Sequence, residues 1–456
     1  MDTLTKISSW AGTRISRSLR TCATLALVPC FLADTPAWCD DATNTPPPAS
    51  VAPPDASSTG KDDFWNRDTI TGDWGGLRKE LEDKGISFGA MWTVQGFRNF
   101  EGGLHVGNTA ASTLDANLSL DAEKLFGLAG GKFYVDFENH AGPDPSSYLV
   151  GDLEKFTKLN YSPFTQIAEI WWEQKLLGDK LRLKIGKVDA NSEFSVIDNG
   201  LPFLSSSTQV TPTLLPFPTF PDPLPSVNVF YTPTDLFYAS FGAYYANQHS
   251  RFLDFSGHPY EIQPTEGGML FIGETGLKWK QLATWQADGN LRLGFWGHNG
   301  TFERLDGSEK EGTHGFYGII DQTLWKPAEE DSKGAGKDTK EAKETKEEDP
   351  RGLRMFLEYA QTPGDVSVMD HHAGGGLSWT GLLPMRPKDI LGVSYQYVHL
   401  SQSADLPKSN EQTLECFYRF QFTPWAAIQP DLQYIVNPAG QYPSALVGTL
   451  HMEFHF

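Results

Sequence analysis

From Ile86 to the end of the chain, apolar and polar residues alternate with a period of two, the mark of strands with two unlike faces. In Lys132-Phe133-Tyr134-Val135-Asp136-Phe137-Glu138, the residues Phe133, Val135 and Phe137 share one face and polar partners take the other. Leu181-Arg182-Leu183-Lys184-Ile185 and Leu291-Arg292-Leu293 repeat the pattern, as do the stretches Leu353 to Tyr359 and Thr413 to Arg419. The alternation predicts strands beginning near Ile86, Ala111, Gly131, Thr165, Leu181, Ser226, Leu236 and Gly268. Eight more begin near Asn290, His314, Gly352, His371, Ile390, Thr413, Trp425 and Ala445. A soluble sandwich would turn the apolar face to a core, whereas a membrane barrel turns it to lipid and the charged face to a wet lumen. Alternation alone fits both.

Three features favour the barrel. Aromatic residues crowd the strand ends, as at Trp171-Trp172, Tyr244-Tyr245, Trp325 and Trp425, which suits girdles at two membrane interfaces. Short turns at Leu177 to Lys180, Thr232 to Asp235 and Phe422 to Trp425 alternate with long connections. The chain ends in Leu450-His451-Met452-Glu453-Phe454-His455-Phe456, which resembles the C-terminal signal by which outer-membrane barrels engage their assembly machinery. The expected fold is all-β, a 16-stranded antiparallel transmembrane β-barrel with a short N-terminal periplasmic helix. An even strand count places both ends of the barrel in the periplasm. The segment 86–456 supplies about 23 residues per strand and connection, against the roughly 9 to 11 that a spanning strand needs.

The front of the chain reads differently. Lys6, Arg14, Arg17 and Arg20 precede an apolar run from Cys22 to Ala33, too short for the roughly 20 residues of a spanning helix but suited to a secretory leader. Residues 1–39 are therefore expected as a cleaved signal peptide, with acylation at Cys30 or Cys39 as the competing reading. Residues 40–61, with Pro46, Pro47, Pro48, Pro53 and Pro54, predict an extended spacer. In 62–85, Asp73 is placed to cap a helix through Leu77 and Leu81 that Lys84 and Gly85 terminate. Only Cys416 remains beyond the leader, so no disulfide framework or cysteine metal site is expected. The formal net charge of −20 argues against nucleic acid as a partner. His371 and His372 are strand neighbours on opposite faces and do not chelate one ion together. No cofactor, metal or nucleophile–base motif is indicated.

The string Phe64 to Ile86 adds identity to this architecture. Trp65, Arg67, Asp68, Thr71, Gly72, Asp73, Trp74, Gly75, Gly76, Arg78, Leu81, Gly85 and Ile86 resemble the N-terminal signature of the carbohydrate-selective outer-membrane porins, the OprB-type family. Ile185-Gly186-Lys187-Val188-Asp189, Phe203-Leu204-Ser205-Ser206-Ser207, Thr423-Pro424-Trp425 and Gln429 to Ile435 are similar to later family segments. The resemblance implies a porin that passes monosaccharides and similar small solutes, sits in the outer-membrane lipid, and works as a monomer. One departure is the Lys/Glu/Asp-rich insert 326–350, which parity places in the periplasm and composition predicts to be disordered.

A pore needs a lumen, a constriction and a charge pattern there. The connection Ala190 to Leu224 is by parity the third outward loop, stiffened by six prolines and carrying Phe203, Phe217 and Phe220. The resemblance implies that it folds inward to form the constriction; covering the rim is the alternative. Alternation turns Asp136, Glu138, Glu169, Glu173, Arg182, Lys184, Arg292, Arg354, Glu358, Glu415, Arg419 and Asp431 into the lumen, with Trp171 and Trp296. Charges of both signs suit polyols, whose hydroxyls accept from guanidinium and donate to carboxylate; a pyranose face suits the two indoles. Each charge also fits an ion pair that only stiffens the wall. The competing functions are a general ion-passing porin, a secreted carbohydrate-active enzyme, and a plugged barrel used for adhesion.

Overall fold

The structure, a computed structural model, describes residues 63–214, 217–246, 267–280, 287–327 and 349–456. The expected leader, the spacer and most of the charged insert lie outside the described residues. Sixteen strands close into one antiparallel barrel in which every strand pairs with its sequence neighbours and the first pairs with the last. They are β1 (Ile86–Glu101), β2 (Gly107–Asp121), β3 (Gly131–Ala141), β4 (Phe164–Leu176), β5 (Leu181–Val188) and β6 (Leu224–Thr234). Next come β7 (Phe237–Tyr244), β8 (Leu270–Trp279), β9 (Gly289–Glu303), β10 (Glu309–Trp325) and β11 (Gly352–Gln361). The last five are β12 (Met369–Thr380), β13 (Ile390–Leu400), β14 (Asn410–Thr423), β15 (Ala426–Val436) and β16 (Ala445–His455). Each expected strand has its counterpart, and closure through Gln95 opposite His451 leaves no free edge.

Burial runs opposite to a soluble core. Along β9, the indole of Trp296 is 1% exposed on the inside, while Phe295 beside it is 60% exposed on the outside. Leu293, Leu357, Leu414, Leu432 and Tyr434 are likewise exposed outward, whereas Arg292, Glu358, Glu415 and Asp431 are enclosed. An apolar outer band with a polar interior is the arrangement that a bilayer stabilises. Outward aromatics pair across strands, as in Phe316–Tyr359 with ring centroids 6.1 Å apart and Trp325–Trp379 at 6.2 Å.

The N-terminal block packs under the seam of β1 and β16. The Ile70 amide donates to the His455 carbonyl at 2.9 Å, and the Trp425 indole donates to the Phe64 carbonyl at 2.9 Å. The expected helix is shorter and starts later than the sequence suggested. A 3-10 turn at Trp74–Gly76 precedes an α-helix over Leu77–Asp83; Asp73 makes no side-chain cap at the 3-10 turn, and its carboxylate accepts instead from the Lys79 amide in the first turn of the α-helix at 3.3 Å. Gly75 and Gly76 hold φ of 72° and 97°, which breaks the helix between Asp73 and Leu77. Gly85 ends it at φ +89°, where an added Cβ would lie 2.8 Å from that of Lys124.

Candidate functional site: a lumen crossed by two loops

The connection between β5 and β6 lies inside the barrel and is held from nearly all sides. Wall carboxylates accept its backbone amides, since an enclosed N–H must find an acceptor. Glu169 on β4 accepts from Asp189 at 2.7 Å, Glu274 on β8 from Ser195 at 2.9 Å, and Asp321 on β10 from Asn199 at 2.8 Å. Glu415 on β14 accepts from Leu204 at 2.6 Å and from Ser205 at 3.3 Å. Side chains add to this. The Asn199 amide donates to the Met355 carbonyl, Gln429 on β15 donates to the Pro202 carbonyl, and Thr211 meets His372 on β12. Gly200 lets the loop cross itself, because a Cβ there would sit 1.9 Å from the Thr208 carbonyl oxygen.

Charges on the loop are paired with the wall. Glu193 accepts from Arg182 at 2.7 and 3.0 Å and from Lys184, while Glu173 supports the same guanidinium at 2.9 Å. Burial by itself would raise the Glu193 carboxyl, yet Arg182 and Lys184 overcome it and bring the group down to about 2. Across the lumen, Arg292 on β9 bridges Asp321 at 2.6 Å and Asp198 of the loop. The apolar side of the loop is seated too. Phe203 is fully enclosed edge-on against Phe356 and Phe417, with centroids 5.6 and 5.0 Å apart. Phe217 packs half-buried against the same cluster, and Phe220 meets Tyr161 and Phe164 edge-on.

A second outward connection, between β3 and β4, is also inside. Its Leu149, Val150, Phe156 and Leu159 form a separate buried cluster with Phe97, Ile435 and Val447. Glu411 on β14 accepts from the Leu153 amide at 2.9 Å and from that of Glu154 at 2.6 Å. Gln433 donates to the Phe156 carbonyl at 2.8 Å, and Thr157 donates to Gln95 at 2.6 Å. The two loops touch through the Ser206 amide and the Lys155 carbonyl, 2.9 Å apart, and through Ser207 and Glu154. Burial raises Asp152 to about 6 against the opposing pull of Lys155; burial first, then Glu411, pushes Glu154 well above the usual carboxylate range.

The residues named from alternation thus divide by neighbourhood. Glu169, Arg182, Lys184, Arg292 and Glu415 meet the third loop directly, and Glu173 acts on it through Arg182 and Lys184. Asp136 and Glu138 lie with Asp115 in an acidic group on the β2–β3 wall, where Glu138 accepts from Gln166 at 3.3 Å. Asp431 accepts from Gln433 at 3.0 Å, and neither oxygen of Glu358 has a hydrogen-bond partner. Arg354 donates to Thr380, and Arg419 pairs with Glu453; both lie at the periplasmic end, away from the loops. Trp171 stacks on Tyr134 at 4.8 Å with the Lys184 ammonium 3.9 Å from its ring, and Trp296 is packed in the main apolar cluster.

Glu274, Asp321, Glu411, Gln95, Gln429 and Gln433 hold the loops and were not singled out from the sequence. Glu274 was within reach, since Leu270 to Trp279 alternates as clearly as the stretches that were used. The inward fold of 142–163 had a fainter signal: Leu149, Val150, Phe156 and Leu159 are apolar residues in a connection that would otherwise face water.

A closed barrel with an apolar outer band, and with outward loops folded into a polar lumen, defines an outer-membrane diffusion channel rather than an enzyme. The chain belongs to the carbohydrate-selective porin, OprB family, whose model matches residues 107–456. It is 22% identical to Porin B of Pseudomonas aeruginosa over 440 residues, 86% of this chain and 92% of that protein. A structure of Pseudomonas putida OprB at high pH superposes with a TM-score of 0.72 at 20% identity, covering 86% of this chain and 100% of that one. The low-pH structure of the same protein gives 0.56 at 18% identity, with 86% and 99% covered. This chain is accordingly an outer-membrane porin of a carbohydrate-selective family.

Proposed function

We propose that the barrel passes monosaccharides and similar small neutral solutes by diffusion, and that Ala190 to Leu224 together with 142–163 sets the aperture. The observation that carries this reading is the pairing of loop charges with wall charges. Glu193 is met by Arg182 and Lys184, and Asp198 by Arg292, so both signs cancel locally. Where the third loop meets these two basic clusters, the pairing leaves little net field on a passing ion. The likeness to the Pseudomonas putida OprB structure supports the barrel fold on which this reading rests.

The test is single-channel conductance of the refolded protein in a planar bilayer, with and without glucose. A small conductance that falls saturably with glucose supports the proposal. A large conductance indifferent to sugar would leave a general ion-passing porin.

A further inference from the structure

We propose that Asp370, His371 and His399 form a divalent transition-metal site on the outer rim of the barrel, of the kind that takes Zn2+. The three side chains present ligand atoms that all lie within 4.8 Å of one another. His371 Nδ1 lies 2.9 Å and His399 Nδ1 2.6 Å from the same Asp370 oxygen, and the two imidazoles meet edge-on at 5.6 Å between centroids.

The backbone builds this group. His371 and His399 are opposite each other in the β12–β13 ladder, one rung from its outer end, so their side chains share a face at cross-strand distance. Successive strand residues normally point to opposite sides, which would take Asp370 away from them. The register shift between Met369 and His371 removes that obstacle by a bulge, turning Asp370 to the same side as its neighbour. The Thr362 amide fixes the Asp370 carbonyl at 2.9 Å. Gly364 leaves room for the carboxylate, since a Cβ there would fall 2.7 Å from its second oxygen.

The chemistry of the set selects the ion. Two imidazoles and one carboxylate suit Zn2+, Cu2+ or Ni2+, whereas Ca2+ and Mg2+ prefer oxygen alone. Tetrahedral Zn2+ with bonds of about 2.0–2.1 Å holds its ligands roughly 3.3 Å apart. The two carboxylate–imidazole spacings need to open by only about half an ångström to reach that geometry, and the two imidazole nitrogens, within 4.8 Å of each other, close onto the ion. On binding, each ring's proton would pass from Nδ1 to Nε2 by exchange with water, freeing the Nδ1 lone pair for the ion, and water would fill the fourth position. All three side chains are partly exposed on the outward side, so the ion enters from outside the cell without passing the lumen.

Tag-free full-length protein in detergent, titrated calorimetrically with Zn2+, is expected to take up one ion per chain at micromolar concentrations. His371→Ala and His399→Ala should each weaken binding at least tenfold, and His314→Ala, an outward histidine elsewhere, should not. Cu2+ bound to the wild type should show hyperfine coupling to two imidazole nitrogens, reduced to one in either histidine variant. Should a variant lose the heat-modifiable gel migration of a folded barrel, His399→Gln and the Cu2+ spectrum of the wild type decide. Absence of stoichiometric uptake, uptake that survives both substitutions together, or a spectrum without nitrogen coupling overturns the proposal.

Discussion

Replacing Glu193 by Gln should release the third outward loop without unfolding the barrel. The carboxylate holds Arg182 and Lys184, which are 6% and 4% exposed, and Glu173 alone would remain to neutralise both. Removing one partner of a buried charge cluster costs about 3–5 kcal/mol. The electrostatic environment of the group points to a similar figure. Its carboxyl moves from an ordinary value of 4.5 to about 2 in the seated loop, which corresponds to about 3 kcal/mol of preference for the ionised form. The sign follows directly: the contribution is present above pH 4.5 and is lost as pH falls toward 2. That energy competes with the local free energy of loop docking, not with the closed ladder of sixteen strands. The Gln variant should therefore migrate as a folded barrel, conduct more at neutral pH, and lose saturable glucose block. Wild type should show the same change only in strong acid. A variant whose conductance and sugar block match wild type at pH 7 would refute the assignment of Glu193 as the loop's electrostatic anchor.

Other substitutions probe the remaining contacts. Glu411→Ala removes the acceptor for the Leu153, Glu154 and Ala439 amides; donors left bare away from water cost about 1–3 kcal/mol each, so limited proteolysis should cut 142–163 sooner than in wild type. Asp152→Asn should act in the opposite direction. The group is raised to about 6, so seating of its loop favours the protonated carboxyl, is strongest below the ordinary value of 3.8, and weakens as pH rises through 6. The neutral amide should slow proteolysis of that loop at pH 7.5, and an unchanged rate would count against the pH argument. Cys416 lies exposed on the outward face with Leu414, so a membrane-soluble maleimide should label it in vesicles while a charged, impermeant one should not.

Alternation was sufficient for the barrel because it is a local property. Leu291-Arg292-Leu293 turns arginine inward whatever lies across the lumen, and an even number of such strands settles which connections face outward. The same logic placed Arg182, Arg292 and Glu415 inside and Cys416 outside before any contact was known. It placed the start of the N-terminal helix a turn too early, because the left-handed Gly75 and Gly76 put a 3-10 turn between Asp73 and the helix, from whose Lys79 amide the Asp73 carboxylate accepts. What those inward charges do was decided elsewhere. Glu415 accepts amides from residues more than two hundred positions away, and Glu411 from a loop still further back. The seating of 142–163 rests on apolar contacts with β1, β15 and β16 that no neighbour in sequence announces. The bulge that turns Asp370 toward His371 is a displacement of one residue in the β12–β13 register. A strand's faces follow from its own side chains; loop docking, charge pairing and register follow from surfaces that meet only when the barrel closes.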